Sequence, residues 1–340
     1  MKGLDGELLC IRLVSDYPNL SEKEILYSLE DSGFYYEYLG SRGPLLILRS
    51  SEFIVPYLLY RCSKIKEIIK LFHIGTVKDF ENLNDFDFEG SFVVRIDSFD
   101  LEYKACVPRM EKDIGAIFFR RGKKVDLKKP DVIIRGYIKD GYLYLGKLLA
   151  IANRSQFFQR RPSKKPAFHP SSMMPENARL MINLGKAPLT GVFLDPFCGV
   201  GGILIEAAYI SNLCIGIDID PKMLKGCQKN IKYYGFYNVD LILADALKIP
   251  LRRFDCIVSD TPYGIASSLK KRDHEKLVED FLNEIRRGRV RICIATVKPD
   301  LEARGWKVIL KFPQRVRKSL IRWLYVLEHN GNSILGHIGE

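Results

Sequence analysis

The chain has 340 residues, of which 47% are hydrophobic, and it carries a formal net charge of +12 at pH 7. This length and apolar content predict two or more folded domains and exclude a disordered protein. The excess of Lys and Arg favours a polyanionic partner, but charge alone does not separate RNA from DNA or from an anionic membrane surface. No apolar run approaches a membrane span, and residues 1–7 lack a signal-peptide pattern. We therefore expect no membrane attachment.

The cysteines and histidines carry little functional signal. The eight cysteines never form a Cys-x-x-Cys pair, and most of them lie among aliphatic residues, as is typical of reduced core side chains. The five histidines are scattered, and His169 is the only one near a motif. This usage predicts a cytoplasmic protein without a metal site.

Residues 1–75 predict the element order β-α-β-β-α-β. Strands are expected at residues 8–14, 34–39, 44–48 and 66–72, and helices at residues 21–32 and 52–61. Residues 21–24 (SEKE) have the spacing of a capping box, which would open the first helix. The order is that of a ferredoxin-like fold, which has no intrinsic function, so we expect it to orient its neighbour.

Residues 76–150 carry four segments that resemble the THUMP domain. They are residues 91–96 (SFVVRI), 112–115 (KDIG), 125–131 (VDLKKPD) and 132–138 (VIIRGYI). The THUMP domain is an RNA-binding module of thiouridine synthetases, pseudouridine synthases and RNA methyltransferases, and the resemblance implies that it holds the 3' end and acceptor stem of tRNA. By themselves, basic clusters are more often a solvated face, but within a THUMP-like segment of a basic protein we expect them to contact RNA. The candidate RNA contacts are Arg120, Arg121, Lys123, Lys124 and Lys128.

Residues 151–168 have the Pro and Ser content of a connector between domains. The segment is also basic and aromatic, so Arg160 and Arg161, next to Phe157 and Phe158, are further candidates for contact with RNA. We expect a connector first and RNA contact as its secondary property.

A buried strand and a glycine-rich turn are predicted at residues 191–202 (GVFLDPFCGVGG), and a helix opens at residue 203. Glycines allow backbone to approach a ligand closely. The spacing is neither that of a dinucleotide fingerprint nor that of a phosphate-binding loop, which would end in Gly-Lys-Ser/Thr. A ligand without phosphates therefore fits this turn better.

Acids end the next two predicted strands. Asp218 follows residues 214–217 (CIGI), some twenty residues after the turn, where a ribose hydroxyl pair is usually held. Asp245 follows residues 239–243 (VDLIL), and its carboxylate could accept a hydrogen bond from the amino group of an adenine. Each acid alone has a simpler interpretation as a helix N-cap or a solvated loop residue. The ordered series is harder to explain in that way.

Residues 260–264 (DTPYG) directly follow the apolar-rich residues 254–259 (FDCIVS). The exocyclic amine of a base is a weak nucleophile and needs acceptors on its hydrogens, which Asp260 and the backbone carbonyl of Thr261 could supply. Tyr263, after the turn residue Pro262, could stack on a base that has left its helix. A strand that ends in a Pro-Tyr-Gly turn is the structural alternative for so short a motif.

Together these motifs resemble the Rossmann-like, S-adenosylmethionine-dependent methyltransferases. Residues 195–202 look like their first motif, and Asp218, Asp245 and Asp260 occupy the later motif positions in unpermuted order. The resemblance implies S-adenosylmethionine as cofactor, with the segment around His169 and Ser172 at its methionine end. The implied catalytic residues are Asp260, Thr261, Pro262 and Tyr263. The implied cofactor-binding residues are His169, Ser172, Asp195, Phe197, Cys198, Gly199, Gly201, Asp218, Ile219, Asp245 and Ala246.

The C-terminal part predicts the remainder of an α/β sheet. Residues 265–272 (IASSLKKR) predict a mobile loop over the base, with Lys270 and Lys271 as candidate RNA contacts. A helix at residues 275–286 and strands at residues 290–295, 307–312 and 322–327 follow, and the last two strands should form a hairpin. The turn of that hairpin is expected to hold basic residues that either meet phosphates or remain solvated. They are Arg315, Arg317, Lys318 and Arg322.

Nearly the whole chain resembles the archaeal and eukaryotic tRNA methyltransferases that modify N2 of guanosine 10. The expected class is α/β, with a ferredoxin-like domain (1–75), a THUMP domain (76–150), a linker (151–168) and a Rossmann-like methyltransferase domain (169–340). That last domain should contain a seven-stranded mixed sheet with an antiparallel last strand. The implied partner is tRNA, with its D-arm guanosine in the active site, and a small activator subunit is a partner that the sequence leaves open.

Base chemistry favours guanine without reference to a family. Guanine presents N1–H and the N2 amine side by side, so one carboxylate can accept from both, whereas the N1 acceptor of adenine would repel Asp260. Family members usually have Pro where this chain has Thr261, which removes the rigidity of the ring but keeps the backbone carbonyl.

Other functions remain open from the sequence alone. They are a non-catalytic RNA-binding protein, an enzyme with another nucleotide cofactor, and a methyltransferase that acts on another tRNA or rRNA guanosine or on a DNA amine. The intact motif acids oppose the first, and the missing dinucleotide and pyrophosphate motifs oppose the second. The THUMP-like segment opposes a DNA substrate.

Overall fold

A computed structural model describes residues 6–14, 16–80, 83, 86–262, 271–285, 290–317 and 320–329, with the backbone alone at residues 271–275 and 317. The chain divides into two compact units, Met1–Arg154 and Ser155–Glu340. Each unit has its own sheet and its own hydrophobic core.

The first unit begins with the predicted order β-α-β-β-α-β. Its strands β1, β3 and β4 bury Leu9, Leu46 and Ile68 against one another and against the two helices. The strands lie in the order β2-β3-β1-β4, and every neighbouring pair is antiparallel. The elements are β1 (Glu7–Leu13), α1 (Pro18–Glu30), β2 (Tyr36–Arg42), β3 (Leu45–Ser50), α2 (Ile54–Arg61) and β4 (Ile65–Thr76).

The sheet of the first unit continues past β4 into the THUMP-like segment. Its full order is β2-β3-β1-β4-β8-β7-β5-β6, and β4 pairs with β8 from Glu67↔Ile151 to Thr76↔Tyr142. Residues 1–75 and 76–150, which the sequence separates into two domains, therefore share one sheet. The added elements are β5 (Ser91–Ser98), a 3-10 helix (Leu101–Cys106), α3 (Val107–Arg120), β6 (Lys124–Val125), β7 (Val132–Lys139) and β8 (Tyr142–Ile151).

The capping box predicted at residues 21–24 is wrong. Helix α1 begins at Pro18, and the Ser21 hydroxyl donates to the Tyr17 carbonyl inside the helix. The Glu24 carboxylate is fully buried, where it accepts hydrogen bonds from the backbone N–H groups of Ser63 and Lys64 at 2.9 Å each. Glu24 thus fixes the chain before β4 to the helix, a long-range role that its local spacing does not reveal.

The second unit is a seven-stranded sheet with helices. Its order is β11-β10-β9-β12-β13-β15-β14, and β15 runs antiparallel to both of its neighbours, so the predicted mixed sheet with an antiparallel last strand is confirmed. The strands are β9 (Val192–Asp195), β10 (Leu213–Asp218), β11 (Val239–Leu243), β12 (Cys256–Asp260), β13 (Arg291–Thr296), β14 (Trp306–Arg317) and β15 (Leu320–His329). The helices are α4 (Ser155–Gln159), α5 (Pro175–Leu184), α6 (Gly202–Ala208), α7 (Pro221–Tyr234) and α8 (Lys271–Glu284).

Most of the predicted linker is part of the second unit. Helix α4 and a 3-10 turn (Pro162–Lys164) lie within it, and Ala167 exchanges two backbone hydrogen bonds with the Asn230 side chain of α7 at 2.8 and 2.9 Å. The prediction that Arg160 contacts RNA is wrong, because its side chain is buried and its guanidinium forms a bidentate ion pair with Glu206 at 2.5 and 3.1 Å.

Glu206 is the centre of a buried charge cluster. Its second oxygen also accepts from the Arg179 guanidinium at 2.9 Å, and Arg160, Arg179 and Glu206 are all at most 5% exposed. One carboxylate is thus shared by two guanidinium groups, and removal of one partner from a buried ion pair is strongly destabilising.

Replacing Glu206 with Gln is expected to lower the free energy of unfolding by about 3–5 kcal/mol, because two buried guanidinium groups lose their counter-charge. Chemical denaturation followed by circular dichroism measures this loss. The control is Glu302→Gln, whose partner Arg304 lies 3.5 Å away on a solvent-exposed surface; that change should cost less than about 0.5 kcal/mol. Equal losses in the two variants would contradict the structural role of the cluster.

Candidate functional site

The glycine-rich turn between β9 and α6 is shaped by two glycines with left-handed backbone. Gly199 has φ +52° and Gly201 has φ +83°. A Cβ atom at Gly201 would lie 2.6 Å from the Cys227 Sγ atom of α7, whereas a Cβ at Gly199 would meet no described atom within 4 Å. Gly201 therefore permits close packing of the turn on α7, and Gly199 leaves open space above it.

A cleft that is open to solvent lies over this turn. It brings together two segments that are far apart in sequence, the predicted segment around His169 and the end of β12. Six of the predicted cofactor residues and the predicted catalytic Asp260 line it. The full lining is His169, Ser171, Ser172, Met173, Asp195, Phe197, Cys198, Gly199, Val200, Gly202, Ile203 and Asp260.

The remaining predicted cofactor residues, Gly201 of the turn among them, do not line the cleft. Asp218 accepts the Gly199 N–H at 2.8 Å and the Asp220 N–H at 2.9 Å, so it ties the end of β10 to the turn. Its pKa is raised by burial, against which these backbone hydrogen bonds act. Ile219 is 69% exposed, and Ala246 is buried. Asp245, at the end of β11, accepts the Leu247 N–H at 2.9 Å.

Asp195 is the buried acid of the site. Its Oδ1 accepts the Ser259 hydroxyl at 2.6 Å and the Phe197 N–H at 3.3 Å. Burial raises its pKa to about 7; those hydrogen bonds lower it, and the nearby Asp218 and Asp260 raise it further. The contact with Ser259 joins β9 to β12, and no local pattern in the sequence pairs these two positions.

Because the pKa of Asp195 is raised, the stability of the protein should depend on pH. From about pH 4 to 7 the folded state binds a proton that the unfolded state releases, so stability present at acid pH is lost as the pH rises through 7. An asparagine at this position cannot ionise. The melting temperature of Asp195→Asn relative to wild type should therefore be higher at pH 8 than at pH 5, as thermal scans in matched buffers would show. A difference that does not change with pH would contradict the assignment.

Asp260 forms an ion pair that the sequence did not reveal. Its Oδ2 lies 2.9 Å from the Nη2 atom of Arg322, whose side chain is 5% exposed, while that of Asp260 is 15% exposed. The prediction that Arg322 lies in a solvated hairpin turn is wrong, because it belongs to β15 and is buried. Asp260 itself ends β12, as predicted.

Thr261 stands where the sequence resemblance implies a Pro ring, and it is held by hydrogen bonds. Its backbone N–H and its hydroxyl both donate to the Ala295 carbonyl of β13, at 3.0 and 2.9 Å, and its side chain is 1% exposed. A Pro could make neither bond, since it lacks the N–H and the hydroxyl. Two bonds to one carbonyl therefore replace the rigidity of the ring. Pro262 is half-buried, and Tyr263 lies outside the described residues.

The basic residues predicted to contact RNA, other than Arg160, fall into three groups. Arg120, Lys124, Lys128 and Arg315 are exposed. Arg121, Lys123 and Arg161 have partners on the protein: Arg121 donates to the Leu83 carbonyl at 2.8 Å, Lys123 pairs with Asp87 at 2.6 Å, and Arg161 lies 4.7 Å from the centre of the Phe158 ring. Lys270 and the Lys271 side chain lie outside the described residues.

Metal sites and membrane-spanning helices would indicate other functions. Across the described ranges, no three or more His, Cys, Asp or Glu side chains form a group that could hold a metal ion. Among the helices that the structure describes, none is long and apolar enough to cross a membrane.

The sheet order, the glycine turn and the acids at the strand ends define a Rossmann-like, S-adenosylmethionine-dependent methyltransferase. A family model described as UPF0020, the RMKL-like methyltransferase domain, matches residues 162–304. The tRNA (guanine(10)-N2)-dimethyltransferase of Methanothermobacter thermautotrophicus is 31% identical over 336 residues, which cover 94% of this chain and 99% of that relative. The chain belongs to the tRNA (guanine(10)-N2)-dimethyltransferase family.

Solved structures share the fold over nearly the full length. TrmN from Thermus thermophilus is 21% identical, with a TM-score of 0.55 over 95% of this chain and 99% of that chain. SMU.472, solved in complex with SAH, is 13% identical, with a TM-score of 0.52 over 95% of this chain and 98% of that chain. At these identities the likeness concerns the fold.

Proposed function

We propose that this protein transfers methyl groups from S-adenosylmethionine to the exocyclic N2 amine of guanosine 10 in tRNA. Family membership supports the substrate, and the observation that carries the proposal is the position of Asp260. Its carboxylate lies at the end of β12 and lines the same cleft as the glycine-rich turn. An acceptor for the amine and a surface for the methyl donor thus share one cavity.

The residues of the cleft fit S-adenosylmethionine. A Cβ at Gly199 would project into open space, so a side chain there would take up room that a ligand needs. Asp218 accepts the backbone N–H groups of Gly199 and Asp220 on different oxygens, and the four lone-pair sites of a carboxylate still allow it to accept from a ribose hydroxyl group. His169 and Ser172 are proposed to meet the methionine end, Phe197, Cys198, Gly201 and Ile219 to frame the donor, and Asp245 and Ala246 to meet the adenine. When bound, S-adenosylmethionine supplies the electrophilic methyl group.

Asp260 provides the acceptor that the amine requires. A carboxylate has about four lone-pair sites, so Asp260 can hold Arg322 and accept from N1–H and N2–H of guanine together. The Thr261 carbonyl, whose residue is fixed on Ala295, is the proposed second acceptor. These contacts orient the nitrogen lone pair toward the methyl carbon, and positioning supplies most of the rate. The amine then loses its proton to Asp260 or to water as it becomes more acidic.

The proposed function is tested with unmodified tRNA transcripts and labelled S-adenosylmethionine. Nucleoside mass spectrometry should find N2-methylguanosine or N2,N2-dimethylguanosine, and a transcript with adenosine at position 10 should take up no label. Label on a base other than guanosine would overturn the proposal. Running the assay with the purified chain alone and then with cell extract tests the need for a small activator subunit.

We propose that exposed basic residues of the first unit, Arg120, Lys124 and Lys128, bind the tRNA backbone near its 3' end, with Arg315 meeting phosphates near the active site. Their exposure and the chain's charge of +12 support this role. Arg121, Lys123 and Arg161 remain candidates only by exchanging the partners described above. Lys270 and Lys271 stay predictions from the sequence.

The double variant Lys124→Glu/Lys128→Glu is expected to weaken tRNA binding by at least about tenfold and to reduce the salt slope of log Kd by about 2. Filter binding at several salt concentrations measures both quantities. The control, Lys124→Arg/Lys128→Arg, keeps the charge and should bind like wild type. Unchanged binding by the glutamate variant would remove these lysines from the interface.

A further inference from the structure

We propose that Arg322 is a positioning residue for the reaction: its guanidinium holds the Asp260 carboxylate ionised and in one orientation toward the amine. The inference rests on the proposed function, because it assigns Asp260 the role of acceptor. Nothing in the sequence around residue 322 suggests this role, since the basic run 315–322 is typical of a solvated turn.

The sheet brings the two residues together. Asp260 pairs in register with Ala295 of β13, and Thr296 pairs with Trp323 of β15. Arg322 is the next residue along β15, just past the end of β13. Its long side chain therefore reaches past the end of β13 to the end of β12, where the Arg322 Nη2 atom lies 2.9 Å from the Asp260 Oδ2 atom.

The ion pair between Arg322 and Asp260 is largely buried. The Arg322 side chain is 5% exposed and that of Asp260 is 15% exposed, so water screens their attraction weakly. The contact with Oδ2 is charge-assisted, and it restrains the Asp260 carboxylate where that group lines the cleft.

Two other titratable groups lie near Asp260. Asp195 on β9 is close enough for the two carboxyl groups to affect each other, and His169 lines the same cleft. Two acids this close favour a state in which one of them is neutral, and a proton on Asp260 rather than on Asp195 would replace one of its acceptor sites by an O–H donor. Arg322 on β15 supplies the positive charge that counters this effect.

The test compares Arg322→Met with Arg322→Lys. The matched control is Arg291→Met, because Arg291 also pairs with a carboxylate of β15, Glu328 at 2.7 Å, but at the opposite end of the β13–β15 pair. Arg322→Met should lower the single-turnover rate constant for methyl transfer by about 10²-fold. The steady-state KM values for tRNA and cofactor should stay within about threefold of wild type. Its acid limb should move to higher pH. Arg322→Lys should recover part of the loss, and Arg291→Met should keep wild-type kcat.

A second readout does not depend on substrate. In protein labelled with ¹³C at aspartate carboxyl carbons, the Asp260 signal is assigned as the one absent from Asp260→Asn, and Arg322→Met should raise its titration midpoint by at least about one pH unit. Calorimetry with S-adenosylmethionine reports whether each variant is folded and binds the cofactor.

The outcomes distinguish a positioning role of Arg322 from a purely structural one. A kcat loss without movement of the acid limb and of the carbon titration would overturn the positioning role in favour of structural bracing. Unchanged kcat in Arg322→Met would overturn it directly. If wild type methylates no tRNA guanosine, the proposed function fails, while the carbon titration still supports or overturns the effect of Arg322 on Asp260.

Discussion

Asp260→Asn is expected to lower kcat for methylation of guanosine 10 by about 10²–10³-fold, the cost typical of losing one transition-state contact. Asparagine keeps the shape of the side chain but has one acceptor oxygen, and its NH2 group would face the donors of guanine or of Arg322. S-adenosylmethionine affinity should stay within about threefold of wild type, because Asp260 serves the amine. Single-turnover assays and calorimetry measure the two quantities separately.

The control for this change is Asp255→Asn at the other end of β12. Asp255 accepts the Val192 N–H at 2.8 Å and takes no part in the cleft lining. Its variant should keep kcat even if stability falls. Full activity of Asp260→Asn on guanosine would remove Asp260 from the mechanism, and a matching loss in Asp255→Asn would attribute the effect to damage of β12.

Gly201→Ala is expected to lower the free energy of unfolding by about 2–4 kcal/mol and to weaken S-adenosylmethionine binding by at least about tenfold. The left-handed backbone at φ +83° disfavours any Cβ, and the new atom would lie 2.6 Å from the Cys227 Sγ atom. The turn or α7 must move, and the turn is the floor of the cleft. Thermal scans and calorimetric titration measure the two effects.

Gly235→Ala is the matched control for this variant. Gly235 also has left-handed backbone, at φ +73°, but its Cβ would meet no described atom within 4 Å. It ends α7 and takes no part in the cleft lining. It should lose only the conformational cost of about 1–2 kcal/mol and bind the cofactor normally. Equal cofactor affinities in the two variants would show that the clash at Cys227 leaves the turn in place.

Local patterns determined much of this protein from the sequence alone. Strand and helix periodicity gives the element order, and the glycine turn at residues 195–202 follows from backbone conformations that other residues disfavour. Asp218 and Asp260 end β10 and β12, and Asp245 follows the end of β11, as the sequence predicts. Parallel strands bring their carboxyl ends to one edge of a sheet. These features depend on neighbours within a few residues.

The tertiary structure alone decided which distant side chains meet. The order β12-β13-β15 brings Arg322 to Asp260, and the pairing of β9 with β12 brings Ser259 to Asp195 across 64 residues. Packing of α4 within the second unit buries Arg160 against Glu206. The pairing of β4 with β8 joins the two domains that the sequence predicts. Burial and ion pairing depend on the sheet order, which no local spacing contains. That dependence is why a basic residue assigned to a solvated turn proves to be the partner of Asp260.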